Sequence, residues 1–150
     1  MLSTKLVRLI ESNWEEIATR LIATVRKHPD LPRLAGLSDL ELRGWCQEIL
    51  EHLNYLLSVR REEEVWEHFE EAGMLRYEQG VPLHEAVLRV HLLKNKLIGF
   101  IHEQGFSMNA AQLYAEEELE HRINVFLDAC VYHIVRGYEA AIRLERRLHA

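Results

Sequence analysis

The sequence predicts an all-α protein, a bundle of about five helices closed by one long C-terminal helix over about 109–148. Three observations carry this expectation. Apolar residues recur three and four apart through most of the chain, as amphipathic helices require. Only seven glycines and three prolines occur in 150 residues, too few for the turns of a strand-based architecture. From Asn109 onward there is no proline and one glycine, while Ile123, Leu127, Cys130, Ile134, Gly137, Ala141, Leu144 and Leu148 alternate four and three apart. That is a seven-residue repeat, and a helix carrying it wants a partner helix.

Taken in order, the first helix begins near Thr4 and carries Leu6, Ile10, Trp14, Ile17, Leu21 and Val25 on one face, with Glu11, Glu15, Glu16 and Arg20 outward. His28-Pro29-Asp30-Leu31-Pro32 ends it as an extended connector, because a residue before proline is pushed out of the helical region. Ser38-Asp39-Leu40-Glu41 reads as a capping box opening a second helix to about Ser58, with Leu42, Trp45, Ile49, Leu53 and Leu56 or Leu57 inward. The acidic stretch from Arg60 to Glu71 surrounds an apolar stripe of Val65, Trp66, Phe69 and Ala72 and opens a third helix reaching about Gln79, its glutamates favouring the helix start and solvent. Gly80-Val81-Pro82 is the sharpest corner, the glycine closing one helix with positive φ and the proline presetting the next. Leu83 to about Gln104 is the most apolar helix, with Ala86, Val90, Leu93, Leu97 and Ile101 on one face, and its breadth of apolar surface marks it as central. Gly105 ends it, and Asn109 is the expected N-cap of the last helix.

A length of 150 residues suits one domain spanning 1–150. The net charge of −6 opposes direct nucleic-acid binding, which needs a positive surface. Cys46 and Cys130 lie among apolar neighbours and read as reduced core residues. Lys5, Arg8 and Glu11 interrupt the window where a signal peptide would hold its apolar core, and no later stretch has the uncharged length of a membrane span. The expected location is the cytoplasm, without membrane insertion.

His84, His91 and His102 fall on one line of the central helix, but a rise of about 1.5 Å per residue puts the first two roughly 10 Å apart, too far to share a metal. His91 by position is the ligand to test in an alternative haem-sensor reading. Glu118 and His121 form a Glu-x-x-His step, the spacing of di-iron bundles, but it occurs once where such sites need two. A metal-dependent bundle enzyme is therefore the weaker alternative. No nucleophile elbow, phosphate loop or dinucleotide fingerprint appears, so the expectation is a non-enzyme without cofactor. Arg76 and Tyr77 precede the corner and are placed to reach a groove between the third and fourth helices. The competing expectation is an exposed arginine paired with Glu78 or Glu85.

The stretch Leu75-Arg-Tyr-Glu-Gln-Gly-Val-Pro-Leu-His-Glu-Ala-Val-Leu-Arg-Val-His-Leu-Leu93 resembles the RsbT co-antagonist N-terminal domain family of RsbRD type, in which an arginine-containing helix ends at a Gln-Gly-hydrophobic-Pro-Leu corner before an apolar helix. Leu6 to Trp14 and Ile17 look like that family's first helix, and the likeness runs from about Leu6 to Ala140. The resemblance implies a bacterial signalling module related to the non-haem globin-like input domains of stress-response complexes, which precede STAS, histidine-kinase or helix-turn-helix output domains. It supplies no catalytic residues. Its corner maps onto Arg76, Gln79, Gly80 and Pro82, read as structural. Ending at Ala150 without an output domain, the chain is expected to be an excised input domain or to work by association. The resulting expectation is a regulatory input domain that forms a homodimer through the seam from Ile123 to Leu148 and signals to an output domain or partner along that helix, with the globin-like haem or small-ligand sensor as the alternative.

Overall fold

The computed structural model describes residues 2–58, 63–104 and 109–149, and among these the chain is all helix, with eight helices and no strand. They are α1 (Leu2–Ser12), α2 (Trp14–Lys27), α3 (Pro32–Ala35), α4 (Asp39–Leu50), α5 (Leu53–Ser58), α6 (Glu63–Glu78), α7 (Leu83–Glu103) and α8 (Ala110–Leu148). The expected Gly105 helix end and the opening of the acidic stretch at Arg60 and Glu62 lie outside the described residues.

Eight helices replace the expected five because two long stretches are each broken and one connector is partly helical. The first helix breaks at Asn13, whose φ of −112° and ψ of 20° leave the helical region. The Ser12 hydroxyl donates to the Arg8 carbonyl at 2.9 Å, and Asn13 Nδ2 donates to the Leu9 carbonyl at 2.8 Å. Short polar side chains here compete with the backbone for the same acceptors, which weakens the helix at that point. The apolar face nevertheless continues across the break, with Leu6, Ile10, Ile17, Leu21 and Val25 all buried. The second helix breaks at Glu51 and His52, and the restart turns Leu53 fully into the core. The Glu11 carboxylate accepts from the Asn54 amide at 3.1 Å, compensating the new N-terminus of α5. The connector after His28 is extended where expected, at φ −76° and ψ 124°, but Pro32 then opens the single turn α3.

Local signals at the other boundaries are realised. Ser38 Oγ accepts from the Glu41 amide at 3.1 Å, and Asn109 Oδ1 accepts from the Gln112 amide at 2.9 Å. Gly80 has φ +76°, with the Val81 amide donating to the Arg76 carbonyl and the Gly80 amide to the Tyr77 carbonyl, both at 3.0 Å. This pair closes α6 in the manner of a Schellman cap. Pro82 then caps α7 in extended geometry, at φ −60° and ψ 145°.

α7 is central as its composition demands, with Ala86, Val90, Leu93, Leu97 and Ile101 buried. The seam of α8 has a different partner from the expected one. Ile123, Leu127, Cys130, Ile134, Gly137 and Ala141 are buried within the chain itself, chiefly against α6. Within the single chain they are core residues. Only the last two seam positions are open, with Leu144 46% and Leu148 74% exposed. The physical reason is a close helix crossing. A Cβ on Gly73 would lie 2.5 Å from the Ile134 carbonyl oxygen, and one on Gly137 would lie 3.1 Å from Gly73 Cα and still nearer the Glu70 carbonyl oxygen. Gly137 is therefore accounted for by α6 of the same chain. Around the crossing, Trp66 stacks on His133 with centroids 4.8 Å apart and 14° between planes, while His133 Nδ1 lies 2.7 Å from Glu70 Oε2. Trp66, Phe69 and Phe126 extend this contact into an aromatic cluster with centroids about 6 Å apart.

Gly73→Ala and Gly137→Ala should each lower stability by about 1–3 kcal/mol, because helix backbones must separate to admit a methyl group. Gly99→Ala in α7, where a Cβ meets nothing within 4 Å, should instead be neutral or stabilising by up to about 1 kcal/mol. Denaturant midpoints of the three variants test the contrast in sign.

Candidate functional site

The expected motif residues around the corner divide into two groups. Gly80 and Pro82 shape the backbone, as their sequence role requires. Arg76, Tyr77 and Gln79 project from the end of α6 in different directions. Tyr77 turns toward α8, where its hydroxyl hydrogen-bonds the Glu145 carboxylate and its ring meets Tyr138 edge-on at 6.0 Å. Arg76 turns inward. Its Nη1 donates to Gln79 Oε1 at 2.8 Å, so Gln79 orients it, and among the described residues neither Glu78 nor Glu85 forms an ion pair with it.

Glu85 has another task. It is 1% exposed, and its Oε1 accepts from the Arg33 and Leu34 amides at 3.0 Å each. A carboxylate there compensates the amide ends of α3, which have no helical acceptors. The Arg33 side chain in turn donates to the Gln79 carbonyl at 2.6 and 3.1 Å, binding the short helix to the corner.

One turn after Glu85, Arg89 is buried at 3% exposure. Its guanidinium lies 4.0 Å from the centroid of Trp45 on α4, a cation–π contact that the sequence pattern gave no means of pairing. Arg89 Nε and Nη1 and Arg76 Nε are all buried without a hydrogen-bond partner in the protein. The two arginines line one pocket with Trp45, Ile49, Gly73 and Ala86, and Glu48 and His68 stand exposed at its mouth. His68 pairs across helices with Glu48 at 3.4 Å, although Glu64 is one turn away on its own helix. Burial, and then the neighbouring positive charge of Arg76, push the Arg89 guanidinium down to about 9, so it still carries its charge at neutral pH. Sequence reasoning missed Arg89, because a single arginine beside an apolar stripe reads as a solvated edge. Its spacing of four from Glu85 even suggests a surface pair, which the structure replaces with two separate buried roles.

Tyr138 completes the wall behind the corner. Its hydroxyl donates to the Val81 carbonyl at 2.8 Å, and burial pushes its ionisation up to about 12. Cys46 and Cys130 are free and buried, burial holding Cys46 up at about 11 and Cys130 well above the usual thiol range.

The other singled-out residues do not converge. His84 and His91 are exposed on α7, so His91 faces solvent and not an interior cavity. His102 pairs with Glu120 at 2.6 Å, and Glu118 and His121 are exposed on α8. Among the described residues no group of three His, Cys, Asp or Glu side chains is placed to hold a metal ion, and no helix is long and apolar enough to cross a membrane.

Together these features define an all-helical domain built around one exit helix, with its distinctive polar groups gathered at the α6–α7 corner. A family model described as the RsbT co-antagonist protein rsbRD N-terminal domain matches residues 15–150, and the chain belongs to that family. The match starts after α1 and continues to the end of α8, a different frame from the likeness over Leu6 to Ala140 that the sequence suggested. Neither the curated proteins nor the solved structures give a match.

The two buried thiols provide a direct check on the packing of the core. Both cysteines should resist a thiol-reactive disulfide reagent at neutral pH and react only on unfolding. Because the folded Cys46 ionises at about 11 instead of 9, its stabilising contribution is complete below pH 9 and is lost as pH rises through about 11. Cys46→Ala should reduce the steepness of alkaline destabilisation over that window, as read from denaturant midpoints.

Proposed function

We propose that this domain is a regulatory input module of a bacterial signalling protein, acting in the cytoplasm by association and not by catalysis. It pairs with a second copy of itself and passes its state along α8 to an output domain or partner protein. Membership of a co-antagonist family supports a signalling role. The observation that carries the mechanical part is the length of α8. Its 39 residues extend about 58 Å, against about 24 Å for the 16-residue α6 that covers its seam. The apolar repeat outlasts its cover, and Leu144 and Leu148 remain open beside a groove shared with Tyr77, Glu78, Ala141 and Glu145.

The dimer contact is accordingly assigned to these last turns, while the buried stretch Ile123–Ala141 anchors the helix to the bundle. Anchored at one end and open at the other, a helix can transmit a small rotation or translation of α6 as a displacement of its exposed apolar turns. The Tyr77–Glu145 hydrogen bond ties the corner to the start of this open segment. Neither contact requires a bound metal or a reactive side chain.

Light scattering tests the assembly. The wild-type domain should be dimeric at micromolar concentration, and Leu144→Glu with Leu148→Glu should give a monomer of unchanged helical circular dichroism. A wild-type monomer at high micromolar concentration, or a dimer indifferent to both substitutions, rules out the end of α8 as the assembly surface.

A further inference from the structure

The strongest unexplained feature of the interior is a pair of arginines that share one pocket, with Glu48 at its mouth but, among the described residues, no carboxylate paired with either guanidinium. Arg76 and Arg89 approach the same pocket from α6 and α7, and three of their N–H-bearing atoms are buried with no acceptor in the protein. Leaving buried charged donors unpaired is costly, and two like charges facing one pocket add repulsion. The nearest carboxylate on the same helix as Arg89, Glu85, directs Oε1 to the α3 amides. The Trp45 face stabilises the Arg89 cation but accepts no conventional hydrogen bond.

We propose that this pocket between α4, α6, α7 and α8 is a binding site for a small monovalent anion, a halide or the carboxylate of a one- or two-carbon acid, held by Arg76 and Arg89. The dimensions and charge of the site select that class. The space inside the mouth is about 10 Å³, room for one water-sized atom, so a halide or a single carboxylate oxygen enters and the rest of a short acid stays at the open mouth. Ile49, Gly73, Ala86 and Ile134 close its apolar sides, and Glu48 at the mouth repels a multiply charged anion such as sulfate or phosphate. Gln79 holds Arg76 in place by its 2.8 Å hydrogen bond, so part of the site is preorganised. This assignment is independent of dimerisation and of any output partner.

The test is thermal unfolding of the full chain at constant ionic strength, with gluconate as the bulky reference anion replaced stepwise by chloride, formate or sulfate. Chloride or formate should raise Tm saturably, and at ten times the dissociation constant the folded-to-unfolded ratio should rise about elevenfold. Arg89→Met, which keeps the volume and removes the charge, should fold without added anion and lose the response. Arg76→Gln should retain the fold and respond more weakly than wild type. Glu48→Gln should strengthen the response by removing a competing negative charge at the mouth.

Three outcomes overturn the proposal. An equal response in wild type and Arg89→Met means that the anions act elsewhere on the surface. A larger shift with sulfate than with formate contradicts the monovalent class. No anion response in wild type removes the site, and lower stability of Glu48→Gln in that case identifies Glu48 as the counter-ion.

Discussion

The architecture depends on the backbone-close crossing of α6 and α8. Gly73 and Gly137 face each other there, and each occupies a position where a methyl group would collide with the other helix's backbone. Helices normally pack about 8–10 Å apart because side chains stand between them. Removing the side chains at the contact draws the helices together and commits the seam of α8 to the interior of its own domain. Trp66, Phe69 and Phe126 then meet on one side of the crossing, while Tyr77 and Tyr138 meet on the other. The same approach fixes the end of α6, and with it the direction in which Arg76 enters the core.

The polar groups of the interior are organised around the corner that follows. α7 contributes Glu85 and Arg89 from successive turns, yet they do not serve one another in the usual surface manner. Glu85 stands in for a helical acceptor at α3, and Arg89 lies against the Trp45 face. Burial of an arginine beside another arginine opposes folding unless something negative is supplied. The anion assignment rests on this imbalance of charge. Such a site would hold a small ligand without the large cavity that a haem occupies.

The exit helix links the two halves of the functional argument. It is held by the bundle as far as Ala141, and its last turns offer Leu144 and Leu148 to solvent. Tyr77, two residues before Gln79 and directly after Arg76, hydrogen-bonds Glu145 on those last turns. The charged pocket and the open helix end are therefore connected through the final turn of α6. A change in the position of Arg76 has a short mechanical route to α8, through one tyrosine side chain.

The sequence by itself determined the helical class, the caps at Ser38 and Asn109, the positive φ of Gly80 and the apolar faces of α2, α4 and α7. These are set by interactions within a few residues of one another, so spacing and residue type suffice to read them. It also carried the family resemblance, through the corner from Arg76 to Pro82. The breaks at Asn13 and Glu51 were poorly legible, because the apolar period continues through them while local side-chain hydrogen bonds or a turn redirect the axis. The partner of the α8 seam and the burial of Arg89 were decided only by tertiary structure. A heptad stripe is the same whether a helix meets its own chain or another, and Gly73 reads as an ordinary weak helix former until the helix that crosses it is known. An arginine between apolar residues likewise gives no sign of its environment until Trp45, forty-four positions earlier, is brought against its guanidinium.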